Sequence, residues 1–395
     1  MMLGTDSFRR FAKERVHEAV LARETAALRR DRNDAGAYFR RGLAHSARRE
    51  FDRAIADFTE ALRLDKGYLR AYALRGNMHV RKRNYFEAIA DYSAAIQVNA
   101  QDVDSFYNRG GCFFNQEKYK AAIADYTAVV RLDQRHARAH NNRGLAYAKL
   151  GEKDQAIADF TQAALLDPQL LHAYQNRGNA YFDKGDYDRA IADYNQVISL
   201  NRGFVDAYVN RGNAFLQKCA FDRVIADFST ALGLGASDPA LYFERGVAYS
   251  GRKRYTRAIA DYTEAIRRDP LHARAYFKRG NAYRHRKELG RALADYNEAL
   301  RLDPDMVQAH VRRGRLHEDR GDWSAALADY NDAIRLDAAC AAAYLGRSHV
   351  LVQQNETKRA QADREEALRL DPSCADSKPA EDVPRPRRFT GLLRE

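Results

Sequence analysis

A chain of 395 residues carries 66 Lys and Arg against 54 Asp and Glu, a net charge of +12, with 45% apolar and 30% charged residues. That balance excludes wholesale disorder, and no apolar run approaches the roughly 20 residues that span a bilayer. Four cysteines are too few and too scattered for a disulfide framework. The first twenty residues lack the apolar stretch of a secretory signal, so a cytoplasmic location is expected.

In chain order, residues 1–34 come first, and within them 19–31 (AVLARETAALRRD) predict a helix that covers the first helical hairpin. From residue 35 a strict period sets in. Arg41, Arg75, Arg109, Arg143, Arg177, Arg211, Arg245, Arg279, Arg313 and Arg347 stand 34 residues apart, each followed by glycine except at Ser348. Sixteen residues after each comes an aspartate, from Asp57 and Asp91 through to Asp363. Such a period marks a stacked-repeat architecture whose units touch only their neighbours. Starting each repeat six residues before its arginine gives ten contiguous blocks, 35–68, 69–102, 103–136, 137–170, 171–204, 205–238, 239–272, 273–306, 307–340 and 341–374.

Within a repeat, small and aromatic residues recur at helical spacing in two stretches parted by a polar turn such as Lys184-Gly185-Asp186. Two antiparallel helices of about a dozen residues are expected. Asp-Pro near the repeat's end (Asp167-Pro168, Asp269-Pro270, Asp303-Pro304, Asp371-Pro372) stops the second helix, because proline cannot continue a helix interior. Glycine at position 8 and alanine at position 20 let the two helices approach. An aromatic at position 24 in nine repeats is expected to fill the space to the next one. Arginine 7 and aspartate 23 lie at nearly the same height, so a charged pair is expected within a repeat or across to its neighbour. In the sixth repeat Gly233 and Gly235 predict a loosened helix end. Residues 375–395, with prolines and the Arg385–Arg388 run, read as a flexible tail.

These positions resemble the tetratricopeptide repeat over 35–374: Tyr174, Gly178, Tyr181, Ala190 and Tyr194 fall on its signature residues. One departure is systematic, arginine standing where the family usually has leucine before the glycine. The resemblance implies an all-α, right-handed superhelical α-solenoid of stacked helix-turn-helix repeats. It also implies that first helices line a concave groove through positions 2, 5, 6, 9, 12 and 13.

Those positions hold Asn108, Asn142, Asn176 and Asn210 (position 6) and Asn77, Asn179, Asn213 and Asn281 (position 9). An amide offers donor and acceptor together, so it can pair with a peptide group without reading a side chain. Family members with similar asparagine ladders grip extended polypeptide. Further on, Arg274, Lys278, Arg284, His285, Arg312 and Arg315 occupy groove positions, where guanidinium groups suit carboxylate or phosphate. The stretch from Gly251 to Arg320 alone holds 18 Lys and Arg against 10 Asp and Glu.

The expected function is therefore a non-enzymatic adaptor that binds an extended, acidic polypeptide, with no cofactor and no membrane insertion. Position 5 holds no lysine in any repeat, which disfavours the family's chaperone-tail clamp. Catalytic and nucleotide-binding motifs are absent. The histidines, including the i,i+4 pair His136 and His140, are read as structural rather than metal-binding. Two alternatives remain: nucleic-acid binding by the basic repeats, with Phe243 and Phe277 as stacking rings, and a regulatory subunit whose groove is filled by its own tail.

Overall fold

A computed structural model describes residues 3–375, with side chains from 15 to 373. The chain divides into two compact segments, Met1–Lys184 and Gly185–Glu395. Among the described residues the structure is entirely helical, a solenoid of stacked helix pairs.

The first segment opens with α1 (Leu3–Arg30), followed by the pairs α2/α3 (Ala35–Ala47, Phe51–Leu64), α4/α5 (Leu69–Arg81, Tyr85–Val98), α6/α7 (Val103–Asn115, Tyr119–Leu132) and α8/α9 (Ala137–Lys149, Lys153–Leu166), then α10 (Leu171–Asp183). The second begins with α11 (Tyr187–Leu200) and continues through α12/α13 (Val205–Gln217, Phe221–Gly233), α14/α15 (Pro239–Gly251, Tyr255–Arg268), α16/α17 (Ala273–His285, Leu289–Leu302), α18/α19 (Val307–Asp319, Trp323–Leu336) and α20/α21 (Ala341–Gln353, Thr357–Leu370). A short 3-10 turn, Pro372–Ala375, comes last. The initial helix starts earlier than the expected 19–31. It docks on α2 through buried Leu28 and through Glu24, which accepts from Arg40 at 2.9 Å.

Punctuation is repeated chemistry. Outside the sixth repeat, the residue closing the second helix is Asp or Asn. Its side chain accepts from the amide two residues on, as in Asp65 to Gly67 (2.9 Å) and Asp269 to Leu271 (3.2 Å). This Asx turn ends the helix before proline, where present, can. Between paired helices, position 15 takes a left-handed conformation: Gly151, Gly185 and Gly321 do so, and so do Arg49, Arg83, Glu117, Cys219, Lys253, Lys287 and Asn355. The glycines of the sixth repeat do not fray the helix; α13 ends at Gly233, Gly235 turns at φ +99°, and Ala236 donates back to Ala231 at 3.0 Å.

Packing explains the small residues. The nine position-24 rings, from Phe58 to Tyr330, are at most 2% exposed. These rings lie over the position-8 glycine of their own repeat, so a Cβ on Gly212 would stand 2.4 Å from the Phe228 ring. They also reach the following repeat: Phe58 packs with Ala71 and Met78, and Tyr296 with Ala309 and Leu316. In the last repeat Arg364 stands in place of the ring and Ser348 in place of the glycine.

The arginine ladder is resolved. Arginines from Arg41 to Arg347 pair within their own repeat, Nε and Nη2 meeting both carboxylate oxygens of the position-23 aspartate at 2.6–3.2 Å, as Arg41 meets Asp57 and Arg245 meets Asp261. The remaining nitrogen, Nη1, donates backward to position 25 of the preceding repeat: Arg75 to Thr59, Arg109 to Ser93, Arg143 to Thr127, Arg177 to Thr161, Arg211 to Asn195, Arg245 to Ser229, Arg279 to Thr263, Arg313 to Asn297 and Arg347 to Asn331, at 2.6–3.1 Å. In eight repeats the guanidinium also covers the position-4 aromatic, 5.4–5.9 Å from the ring centre. Arginine thus replaces leucine because one planar cation closes the hairpin, joins it to its predecessor and packs on a ring.

The other two repeats carry histidine at position 4. His140 and His310 are buried, and Nδ1 of each lies 3.2 Å from Oδ1 of Asp159 and Asp329. Nε2 of His310 also faces the Pro304 carbonyl at 2.9 Å. His136, by contrast, caps α8, accepting from Ala139 through Nδ1 at 3.1 Å. Among the described residues no group of three or more His, Cys, Asp or Glu is placed to hold a metal ion, and no helix is long and apolar enough to cross a membrane.

Candidate functional site: amides and cations on the first helices

In the first segment, Asn108, Asn142 and Asn176 are half-buried on α6, α8 and α10. Two of these amides hydrogen-bond to position 5 of the preceding repeat. Asn142 Nδ2 donates to the Tyr107 hydroxyl at 2.9 Å, and Asn176 Nδ2 donates to Asn141 Oδ1 at 3.0 Å. Asn141 in turn donates to Asn142 at 3.2 Å. A run of hydrogen bonds therefore crosses three successive first helices. It fixes amide orientation and leaves each amide further N–H or lone-pair capacity, since an amide has two donors and two lone pairs.

Of the position-9 asparagines only Asn281 is buried, and it and Asn77 serve tyrosine rings. Tyr92 Oη donates to Asn77 Oδ1 at 2.6 Å, and Tyr296 Oη to Asn281 Oδ1 at 2.7 Å. A buried tyrosine ring needs an acceptor for its hydroxyl, and these asparagines supply it. The sequence does not signal this role, since Phe228 also has an asparagine (Asn213) at position 9 of its repeat, while Tyr126 and Tyr262 have Gly111 and Val247. Asn179 on α10, and Asn210 and Asn213 on α12, are half-buried.

In the second segment the basic residues fall on two helices. Arg274, Lys278, Arg284 and His285 lie on α16, Arg312 and Arg315 on α18, all half-buried. Arg274 covers the Phe243 ring at 5.5 Å and Lys278 the Phe277 ring at 5.7 Å. Both rings are only 3% exposed, so neither offers a face to a base. Burial, and then the neighbouring Arg284, lowers the Arg315 guanidinium below its ordinary range.

An acid stands among these cations. Glu318 on α18 accepts from the Tyr330 hydroxyl and lies 3.9 Å from His349 of α20. Burial raises its carboxyl above the ordinary range, with Tyr330, His349 and Arg315 opposing. The tail and its Arg385–Arg388 run lie outside the described residues.

With that geometry in place, the family can be assigned. Models described as TPR repeat match residues 110–151 and 178–218, and models described as tetratricopeptide repeat match 35–68, 137–170, 243–307 and 311–373. Together they cover more than half of the chain, which belongs to the tetratricopeptide repeat family. Such repeats generally mediate protein–protein interactions and are generally non-catalytic; the chain is a protein-interaction scaffold.

Among curated proteins none matches it. Solved structures similar to it include YrrB, described as a TPR protein with an unusual peptide-binding site, at 27% identity over 47% of this chain and 95% of that one, TM-score 0.42. MamA shows 24% identity, 41% and 94% coverage and TM-score 0.40. A tetratricopeptide repeat protein from Parabacteroides merdae ATCC 43184 shows 19% identity, 58% and 91% coverage and TM-score 0.47.

Proposed function

We propose that this scaffold binds an extended polypeptide through its first helices, the position-6 asparagines meeting peptide groups and the cations of α16 and α18 meeting acidic side chains. The observation that carries the reading is the hydrogen-bonded run Asn176–Asn141–Asn142–Tyr107. It holds polar amides in a fixed array along successive repeats, so less ordering cost falls on binding. Asn77 and Asn281 contribute less to such contacts, because their carbonyl groups already serve Tyr92 and Tyr296. Each net hydrogen bond contributes about 0.5–1.5 kcal/mol, so dissociation constants on the order of micromolar are expected.

Fluorescence anisotropy with unstructured twelve-residue peptides, acidic, neutral and basic, tests the reading. The acidic peptide should bind most tightly and the basic one least. Changing Asn108, Asn142, Asn176 and Asn210 together to alanine should weaken all binders by at least tenfold, about 1.4 kcal/mol. Equal binding by both proteins would remove the asparagines from the account. A single-stranded oligonucleotide that outcompetes the acidic peptide would favour the nucleic-acid alternative, against which the buried Phe243 and Phe277 already argue.

A further inference from the structure

Two hydrogen-bond donors on α16 are buried without a partner: Asn281 Nδ2 and Arg284 Nε. They stand three residues apart, hence on one helical face. Asn281 is 5% exposed, and its carbonyl is fixed by Tyr296, so its amide nitrogen cannot be turned to use elsewhere. An orphaned buried donor costs about 1–3 kcal/mol, a cost that an incoming acceptor recovers. Arg315, one repeat on, adds a guanidinium whose charge is already disfavoured by burial and by Arg284.

We propose that Asn281, Arg284 and Arg315 form a carboxylate-binding subsite for the acidic segment of a bound polypeptide, and that Glu318 makes its occupancy proton-linked. This rests on the polypeptide-binding reading above and names the chemistry of one subsite within it. Glu318 lies one turn beyond Arg315 on α18, hydrogen-bonded by Tyr330. The charged and titratable groups facing it are Arg315 and Asp319 on α18, Tyr330 on α19 and His349 on α20. While ionised, Glu318 competes for Arg315 and repels an arriving carboxylate. A bound carboxylate therefore raises the Glu318 carboxyl further, binding takes up a proton, and affinity rises as pH falls.

The test uses the full chain and two rhodamine-labelled probes: hexaglutamate with an amidated C-terminus, and hexaglutamine with a free one. Hexaglutamate should bind more tightly if side-chain carboxylates are the ligand; preference for the free-ended hexaglutamine would assign the subsite to a chain terminus and overturn the proposal as stated. Hexaglutamate affinity should rise severalfold between pH 8.0 and 5.5. In Glu318→Gln it should be flat across that range and, at pH 8.0, about tenfold above wild type, the scale of one close like-charge repulsion in a half-buried setting. In His349→Gln the slope should persist.

Arg284→Gln with Arg315→Gln should reduce hexaglutamate binding at least tenfold while leaving hexaglutamine unchanged. Should that pair fail to fold, Arg315→Lys, which keeps charge and loses the planar fork, should still weaken hexaglutamate severalfold. An unchanged slope in Glu318→Gln, or unchanged hexaglutamate affinity in the arginine variants, overturns the subsite and leaves the scaffold reading standing. Failure of wild type to bind any peptide at either pH overturns both.

Discussion

Arginine 7 was legible as one half of a charged pair, but not as a three-way contact. Its backward bond to position 25 could have been suspected, since that position is Thr, Ser or Asn in nine repeats and Glu365 only in the tenth. Removing one partner of such a pair leaves a buried charge, at about 3–5 kcal/mol, whereas removing both is cheaper. Arg245→Leu should therefore lower the urea midpoint more than Arg245→Leu with Asp261→Leu; equal or greater loss in the double variant would contradict the pairing.

His310 carries a sharper prediction. Burial opposes its protonation, but Asp329 and the Pro304 carbonyl outweigh burial and raise its imidazole above the ordinary range. A raised folded-state value contributes stability that is fully present below the unfolded value near 6.5 and is lost as pH rises through the folded value. Asp329 runs oppositely: burial would raise it, yet His310 and Arg313 prevail and hold it low, so its contribution is lost only as pH falls through its folded value. Melting curves from pH 6 to 8.5 should show stability falling with pH in wild type. They should show less fall in His310→Tyr, which restores the ring found at position 4 elsewhere. Parallel curves would remove His310 from the account.

At the scale of the element, hairpins were readable because each repeats ten times, stops because Asp or Asn closes the second helix in nine repeats, and the glycine–ring relation comes from volume alone. Less readable was the left-handed position 15, since only three of ten residues there are glycine. The conformation is imposed by closing the hairpin rather than by local preference. Gly321→Ala tests this cleanly: φ is +74° and nothing lies within 4 Å of the added Cβ, so the loss of about 1–2 kcal/mol is conformational. Lys253→Gly should be neutral or stabilising by up to about 1 kcal/mol. Gly246→Ala acts differently, because its Cβ would stand 2.7 Å from the Tyr262 ring. Overpacking of about 1–3 kcal/mol should exceed the helix-propensity gain of about 1 kcal/mol. Urea unfolding of the three variants separates these causes.

Across the molecule, a sequence period yields stacked hairpins, and the stack yields a row of first helices whose side chains recur. The residues expected on those helices were legible from register. Their division of labour was not, because it depends on which tyrosine hydroxyl needs an acceptor: Asn77 and Asn281 serve rings, whereas Asn142 and Asn176 join neighbouring repeats. Glu318, in sequence only a charge subtracting from a basic patch, is held by Tyr330 close enough to feel Arg315 of that patch.

The most direct measurement is a selection of random dodecapeptides displayed on phage against the full chain. The same pool is then bound to the fourfold asparagine-to-alanine protein and to the Arg284→Gln, Arg315→Gln protein. The account predicts enrichment of acidic, proline-tolerant, extended sequences whose binding falls in both variants. Enriched peptides without acidic residues, or acidic ones that bind all three proteins equally, would contradict it.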